Sequence, residues 1–262
     1  CRNVGILTAV SRLSDRMECA EKAGRFLKCW FLDPETAMTP HLKFAQFTPG
    51  SCSGHPAGLI DGHFFCELLE AVASLPFTKE WTPENLAQLH RWFTDYFFWL
   101  IGDPFPRKEE ALRNNHGTWY DVQFVVTAVF LNHSEIARRQ LLEKSIPRLS
   151  VQLMHPGFQP FELGRTLSLT YSVFNLEGWS RLAAYAKRLG IELWNHPGCD
   201  GTTLKMGFQL LIPFLCGKQR WEHPQIGPLP NSRRLFALVN DFLEPLEEFT
   251  PGEELACIPP ES

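Results

Sequence analysis

The chain has 262 residues, 44% of them apolar, a formal net charge of −4 and no low-complexity tract. That much apolar material can bury one substantial core and predicts a single domain over residues 1–262. The negative balance and the lack of Lys/Arg runs argue against nucleic acid or an anionic membrane surface as partner. No apolar stretch reaches the roughly 18 residues of a membrane span.

In chain order, residues from about Val4 to Phe31 carry apolar residues at helical intervals (Ala9, Leu13, Met17, Ala20, Ala23, Leu27), which predicts one amphipathic helix. Asp33-Pro34 ends it, because the residue before proline disfavours the α region. The Gly- and Pro-rich segment from Pro40 to Gly62 reads as a long ordered loop, a common carrier of function, with Gln46, His55 and His63 in or beside it. A helix is expected from Asp61 to Ser74. Another follows Thr82-Pro83-Glu84, where Thr caps and Pro suits the first helical position. Leu86, Leu89, Phe93, Tyr96, Phe97 and Leu100 form its apolar stripe, and Trp92 and Trp99 either widen the buried face or line a groove.

Trp119 to Leu131 is apolar almost all round, as in a helix buried on every side. Ser134 to Lys144 reads as an amphipathic outer helix, and Ser145 to His155 as a helix broken by the Gly and Pro that follow. Leu167 to Leu189 is helical with Gly190 as its stop. Thr202 to Cys216 is an apolar inner-type helix, and Asn231 to Glu248 an outer one with Leu235, Leu238, Phe242 and Leu246 on one face. No segment shows alternating strands. Fully buried helices alternating with one-faced ones imply paired inner and outer layers in an all-α fold.

Eight cysteines, none in a CxxC pair, predict an exported protein with one or more disulfides rather than a zinc site. Buried free thiols in a reducing compartment are the alternative. The start at Cys1 is expected of a mature or truncated product. Asn132-His133-Ser134 is a glycosylation sequon of a kind that also arises by chance.

Two stretches carry the chemistry. Arg113 to Asp121 reads RNNHGTWYD, placing Asn114, Asn115 and His116 just ahead of a buried helix. Asn and Thr favour helix starts, and a helix N-terminus attracts an anion. Read blandly, the asparagines only cap the helix and His116 is a satisfied, partly buried histidine. From Glu162 the chain reads ELGRTLSLTY, with Arg165 and Tyr171 six residues apart. On an ideal helix that spacing is about 600°, so the two share no face. Either a helix begins between them or they enter the site from different directions.

Together with CWFLDPETAMTPHLKFAQFTPG (29–50), GLIDG (58–62), LKMGFQLLIPF from Leu204 and WEHPQI from Trp221, these stretches resemble the alginate lyase superfamily. That superfamily comprises poly-uronate lyases of polysaccharide lyase families 5 and 38. The Arg-to-Tyr spacing is closer to family 38. The resemblance implies an incomplete α/α toroid, here expected to lack N-terminal helices. His and carboxylates show no ligand spacing, so neither a metal nor a cofactor is expected.

In a uronic acid polymer the C5 proton is barely acidic while the adjacent carboxylate is charged. Donors that neutralise the carboxylate let charge spread into it as an enolate, and a base then removes the proton as the C4 oxygen departs. By resemblance, Asn115 and His116 neutralise the carboxylate, Tyr171 serves as base and acid, and Arg165 orients or acidifies the phenol. A neighbouring cation favours a phenolate, which gives that pairing a physical reason. Substrate contacts are expected from Gln46, Arg113, Trp119, Tyr120 and Lys205, with Trp194 and Gln225 as weaker candidates. Arg113, Arg165 and Lys205 supply local positive charge for a polyanion. The competing readings are a glycoside hydrolase, for which Asp121 and Glu162 are available without a spacing that pairs them, and an inactive carbohydrate-binding toroid.

Overall fold

The computed structural model describes residues 1–51 and 53–230. Among them the regular structure is helical, and extended pairing is limited to isolated bridges at Met154–Phe158 and Leu167–Gln225. The helix expected over 231–248 and the cysteines at 52 and 257 lie outside the described residues.

The α-helices are α1 (Arg2–Ser14), α2 (Met17–Leu27), α3 (His63–Val72), α4 (Pro83–Gly102), α5 (Pro104–Glu110), α6 (Asn115–Phe130), α7 (Ser134–Gln140), α8 (Ile146–Gln152), α9 (Pro160–Leu163), α10 (Ser168–Arg188) and α11 (Leu204–Leu215). Lys28–Leu32 and Leu141–Ser145 are π-helical turns, and Pro56–Gly62 is a 3₁₀ turn leading into α3. The chain forms two compact units: Cys1–Ala111 with Trp119–Gln140, and Leu112–Thr118 with the chain from Leu141 onward.

In the first unit the single N-terminal helix of the sequence reading is two helices, because Asp15 adopts a left-handed conformation (φ 50°) that ends α1. The break resets the helical phase. Ala20, Ala23 and Leu27 are buried as expected, but α1 buries Val4, Thr8 and Ser11 and leaves Ala9 and Leu13 exposed. Helix α4 begins as its sequence dictates. The Thr82 hydroxyl accepts the Asn85 N–H, Asn85 Oδ1 accepts the Thr82 N–H, and Pro83 fills the first helical position. Trp92 widens the buried face of α4: its ring meets Phe31 edge-on at 4.8 Å, and its indole donates to the Met38 carbonyl at 2.9 Å. Buried polar groups are paired here too, the Tyr96 hydroxyl donating to Gln123 Oε1 at 2.6 Å.

In the second unit α10 buries Leu169, Val173, Leu176, Trp179, Leu182 and Ala186, and Gly190 (φ 72°) follows its end. Thr203 caps α11, its hydroxyl accepting the Met206 N–H, and α11 buries Leu204, Phe208, Leu211 and Leu215. No disulfide joins two of the described cysteines. No helix among the described residues is long and apolar enough to cross a membrane.

Candidate active site

The Asn-Asn-His segment opens α6, and each of its residues has a separate task. Asn114 caps the helix: its Oδ1 accepts the His116 N–H at 3.1 Å, and its carbonyl accepts the Gly117 N–H at 3.0 Å. Glycine is required at 117 because a Cβ there would collide with the Leu112 carbonyl and the Arg148 guanidinium, which are hydrogen-bonded to each other. Asn115 is 1% exposed and turned onto Glu162. Its backbone N–H lies 2.5 Å from Glu162 Oε1, and its Nδ2 lies 2.9 Å from both carboxylate oxygens. The anion that a helix N-terminus attracts is therefore supplied by the chain itself. Asn115 Oδ1 is buried and has no hydrogen-bond partner. His116 is half-buried on the same first turn.

Glu162 lies in α9 and is 1% exposed. Burial pushes its pKa above the ordinary glutamate value, against the pull of Asn115 and Arg165, which stabilise the charged form. Arg165 Nη1 lies 3.1 Å from Glu162 Oε2. Past that ion pair, the guanidinium carbon sits 3.5 Å from the centroid of the Tyr171 ring. The spacing question is resolved by the backbone. Arg165 precedes α10 and Tyr171 lies in its first turn, so the helix begins between them and the two side chains stack across that start.

The Trp221–Ile226 segment fixes the start of α10. Gln225 Oε1 faces the Leu169 and Thr170 N–H groups at 3.1 and 3.4 Å, and its Nε2 donates to Thr170 Oγ1 at 2.9 Å. The Ser168 hydroxyl donates to the Pro224 carbonyl at 2.6 Å and accepts the Trp221 indole N–H at 2.8 Å. Gln225, a weak subsite candidate from sequence, instead caps the helix that carries Tyr171. It does so from 55 residues away, a separation that leaves no local pattern to read.

A buried polar network joins the start of α6 to the interior of α10. Gln152 Oε1 accepts from Trp179 Nε1 at 2.8 Å and Asn175 Nδ2 at 3.0 Å, while Gln152 Nε2 donates to the Asn114 carbonyl at 2.9 Å. Asn175 Nδ2 also donates to Gln159 Oε1 at 2.8 Å, and Thr118 Oγ1 lies 2.6 Å from Asn175 Oδ1. Each of these side chains except Asn114 is buried, so every pairing replaces a desolvation cost.

The other candidates are dispersed. Arg113 is exposed beside the cap, and Lys205 is half-buried on the first turn of α11. Trp194 is buried against Phe208, the rings 5.0 Å apart. Gln46, Trp119 and Tyr120 belong to the first unit. Gln46 is an exposed loop residue with φ 53°. Trp119 and Tyr120 are only 2% and 3% exposed, so neither ring offers a face to a sugar. Asp121 is fully buried and accepts from Gln140 Nε2 at 2.9 Å. Its carboxylate has no surface with which to meet a glycosidic bond. In the second unit, Phe158, Phe214, Arg220, Trp221 and His223 line an open groove of about 450 Å³. No group of three or more His, Cys, Asp or Glu residues among those described is arranged to hold a metal ion.

The family model described as alginate lyase matches residues 1–221. The fold is similar to that of an alginate lyase from Bacteroides ovatus solved at 1.60 Å resolution, with a TM-score of 0.81 and 34% sequence identity. The alignment covers 86% of this chain and 60% of that one. No match is found among curated proteins. The helical architecture fits the α/α toroid of these enzymes. A match over most of the chain, joined to a structural likeness at this identity, makes the chain a member of the alginate lyase family.

Proposed function

We propose that the protein is a polysaccharide lyase that cleaves a uronic acid polymer, such as polymannuronate or glucuronan, by β-elimination outside the cell. The observation that carries the reading is the Arg165–Tyr171 stack at the start of α10, linked through Glu162 to Asn115 at the start of α6. In this reading Tyr171 takes the C5 proton and returns a proton to the departing C4 oxygen. That exchange breaks the C4–O bond, forms the C4–C5 double bond and needs no water. The guanidinium over the ring holds the phenol in place at the start of α10.

His116 receives the substrate carboxylate on the first turn of α6, where charge builds in the enolate-like transition state, while Asn115, its Nδ2 held by Glu162, offers its Oδ1 to a donor such as a sugar hydroxyl. Arg113 and Lys205 add local positive charge for a polyanion within a chain of net charge −4. The aromatic groove beside Trp221 offers the stacking surface that the buried Trp119 and Tyr120 do not. The test is incubation with polymannuronate, polyguluronate and glucuronan, followed by ultraviolet absorbance of unsaturated ends. An absorbing product on at least one polymer is expected. Saturated oligosaccharides carrying solvent oxygen would replace this reading with hydrolysis.

A further inference from the structure

We propose that Glu162 is a positioning residue of this site, an ionised carboxylate that sets both the Asn115 amide and the Arg165 guanidinium for reaction. The inference rests on the lyase reading above.

The argument is one of hydrogen-bond polarity. The Asn115 backbone N–H, Asn115 Nδ2 and Arg165 Nη1 all face the two Glu162 oxygens, at 2.5 to 3.1 Å, and all three are donors. An ionised carboxylate accepts every one of them, whereas a protonated acid or an amide turns a hydrogen toward one of them and loses it. Two consequences follow for the reacting groups. With Nδ2 held by Glu162, the Asn115 amide cannot flip, and its unpartnered Oδ1, an acceptor, is the buried polar atom left to meet a donor such as a substrate hydroxyl. Arg165 is likewise anchored at one nitrogen, which holds its guanidinium over the Tyr171 ring. Glu162 thus ties the start of α6 to the Arg165 guanidinium over the base through two contacts on one side chain.

The charged group facing Glu162 is Arg165, from the segment between α9 and α10, while α6 contributes the non-titrating Asn115. Burial holds the Glu162 pKa above its ordinary value, so loss of the ionised clasp on acidification begins at a higher pH than for a surface glutamate.

The experiment compares kcat, KM and the pH profile of the wild type, Glu162→Gln and Glu162→Asp, with thermal melts of each. Misplacement of reacting groups by about an ångström costs ~10²-fold. Glu162→Gln is therefore expected to lower kcat by that order, with KM within about threefold. Its acid limb should flatten, since the titrating group is gone, and Glu162→Asp should recover part of kcat because it restores an all-acceptor partner. If the wild type yields no unsaturated product, the lyase reading falls and this proposal falls with it. If the wild type is active and Glu162→Gln keeps its kcat and acid limb, the positioning role alone is overturned. A lowered melting temperature with an unchanged acid limb and no recovery in Glu162→Asp would also overturn it, leaving Glu162 as a helix cap. Should Glu162→Gln fail to fold, the decision passes to the Asp variant, whose kcat must then fall without a matching rise in KM.

Discussion

Arg165 and Tyr171 meet face to face across the start of α10, the guanidinium carbon 3.5 Å from the ring centroid. The contact is made to the ring, so it does not depend on the hydroxyl. It also separates two roles that mutation can distinguish.

Tyr171→Phe retains the ring and its stack with Arg165 but removes the one atom able to carry the proton. Turnover on a polyuronate is expected to fall by ~10²–10⁴-fold, with KM nearly unchanged. Steady-state kinetics on the polymer that gives the largest ultraviolet signal decide this. Near-normal turnover in Tyr171→Phe would move the base assignment to His116.

Arg165→Lys keeps the charge and loses the planar fork. An ammonium cannot both lie flat on the Tyr171 ring and hold Glu162 Oε2 in the same geometry. We expect kcat to drop by roughly 10²-fold through misplacement, and Arg165→Ala to fall further. Equal kcat in wild type and Arg165→Lys would show that the charge alone suffices.

Gly117→Ala probes the cap itself. The added methyl group meets the Leu112 carbonyl and the Arg148 guanidinium, whose hydrogen bond braces the turn before α6. Overpacking of this kind costs roughly 1–3 kcal/mol, read as a shift in denaturant midpoint at unchanged slope. A variant as stable as the wild type would mean the Leu112 turn relaxes without penalty.

Asp200 gives a pH prediction away from the chemistry. Its carboxylate accepts the His155 and Thr202 backbone N–H groups, at 2.8 and 2.9 Å, and its pKa is lowered to about 2. A carboxylate whose folded pKa is depressed stabilises the fold above the unfolded value, and that contribution is lost as pH falls through the folded value. The advantage of wild type over Asp200→Asn should thus be full above pH ~4 and shrink as pH approaches 2. Thermal melts across this range report it, and a gap that does not narrow on acidification would refute the assignment.

Local signals in the sequence were reliable where the cause of structure is itself local. Thr82-Pro83 and Gly190 mark the ends of α4 and α10 because caps and left-handed stops are made by adjacent residues. Asp15 gave no such signal, since an aspartate in the left-handed region looks like any exposed acid, and the register of α1 slipped as a result. In the site, Asn115, Arg165 and Tyr171 stood out through motif and spacing. Glu162 entered only as one carboxylate of a hydrolase reading, because its role beside Asn115 and Arg165 comes from an amide 47 positions earlier in the chain. A buried carboxylate and a surface one are the same letter until their donors are known.

The polar network between the start of α6 and the interior of α10 has a direction. The Trp179 indole can only donate and the Asn114 carbonyl can only accept, so Gln152, held between them at 2.8 and 2.9 Å, has one permitted amide orientation. Gln159 is pinned in the same way by the Ser172 carbonyl, which accepts its Nε2 at 3.1 Å. Asn175 then inherits its orientation from both, because its Nδ2 faces two acceptors. Amide orientation is thereby fixed from Trp179 to Asn114, while the Thr118 hydroxyl, with acceptors on both Gln152 and Asn175, keeps a choice. What the network transmits to Asn114 is a single geometry rather than an average over several.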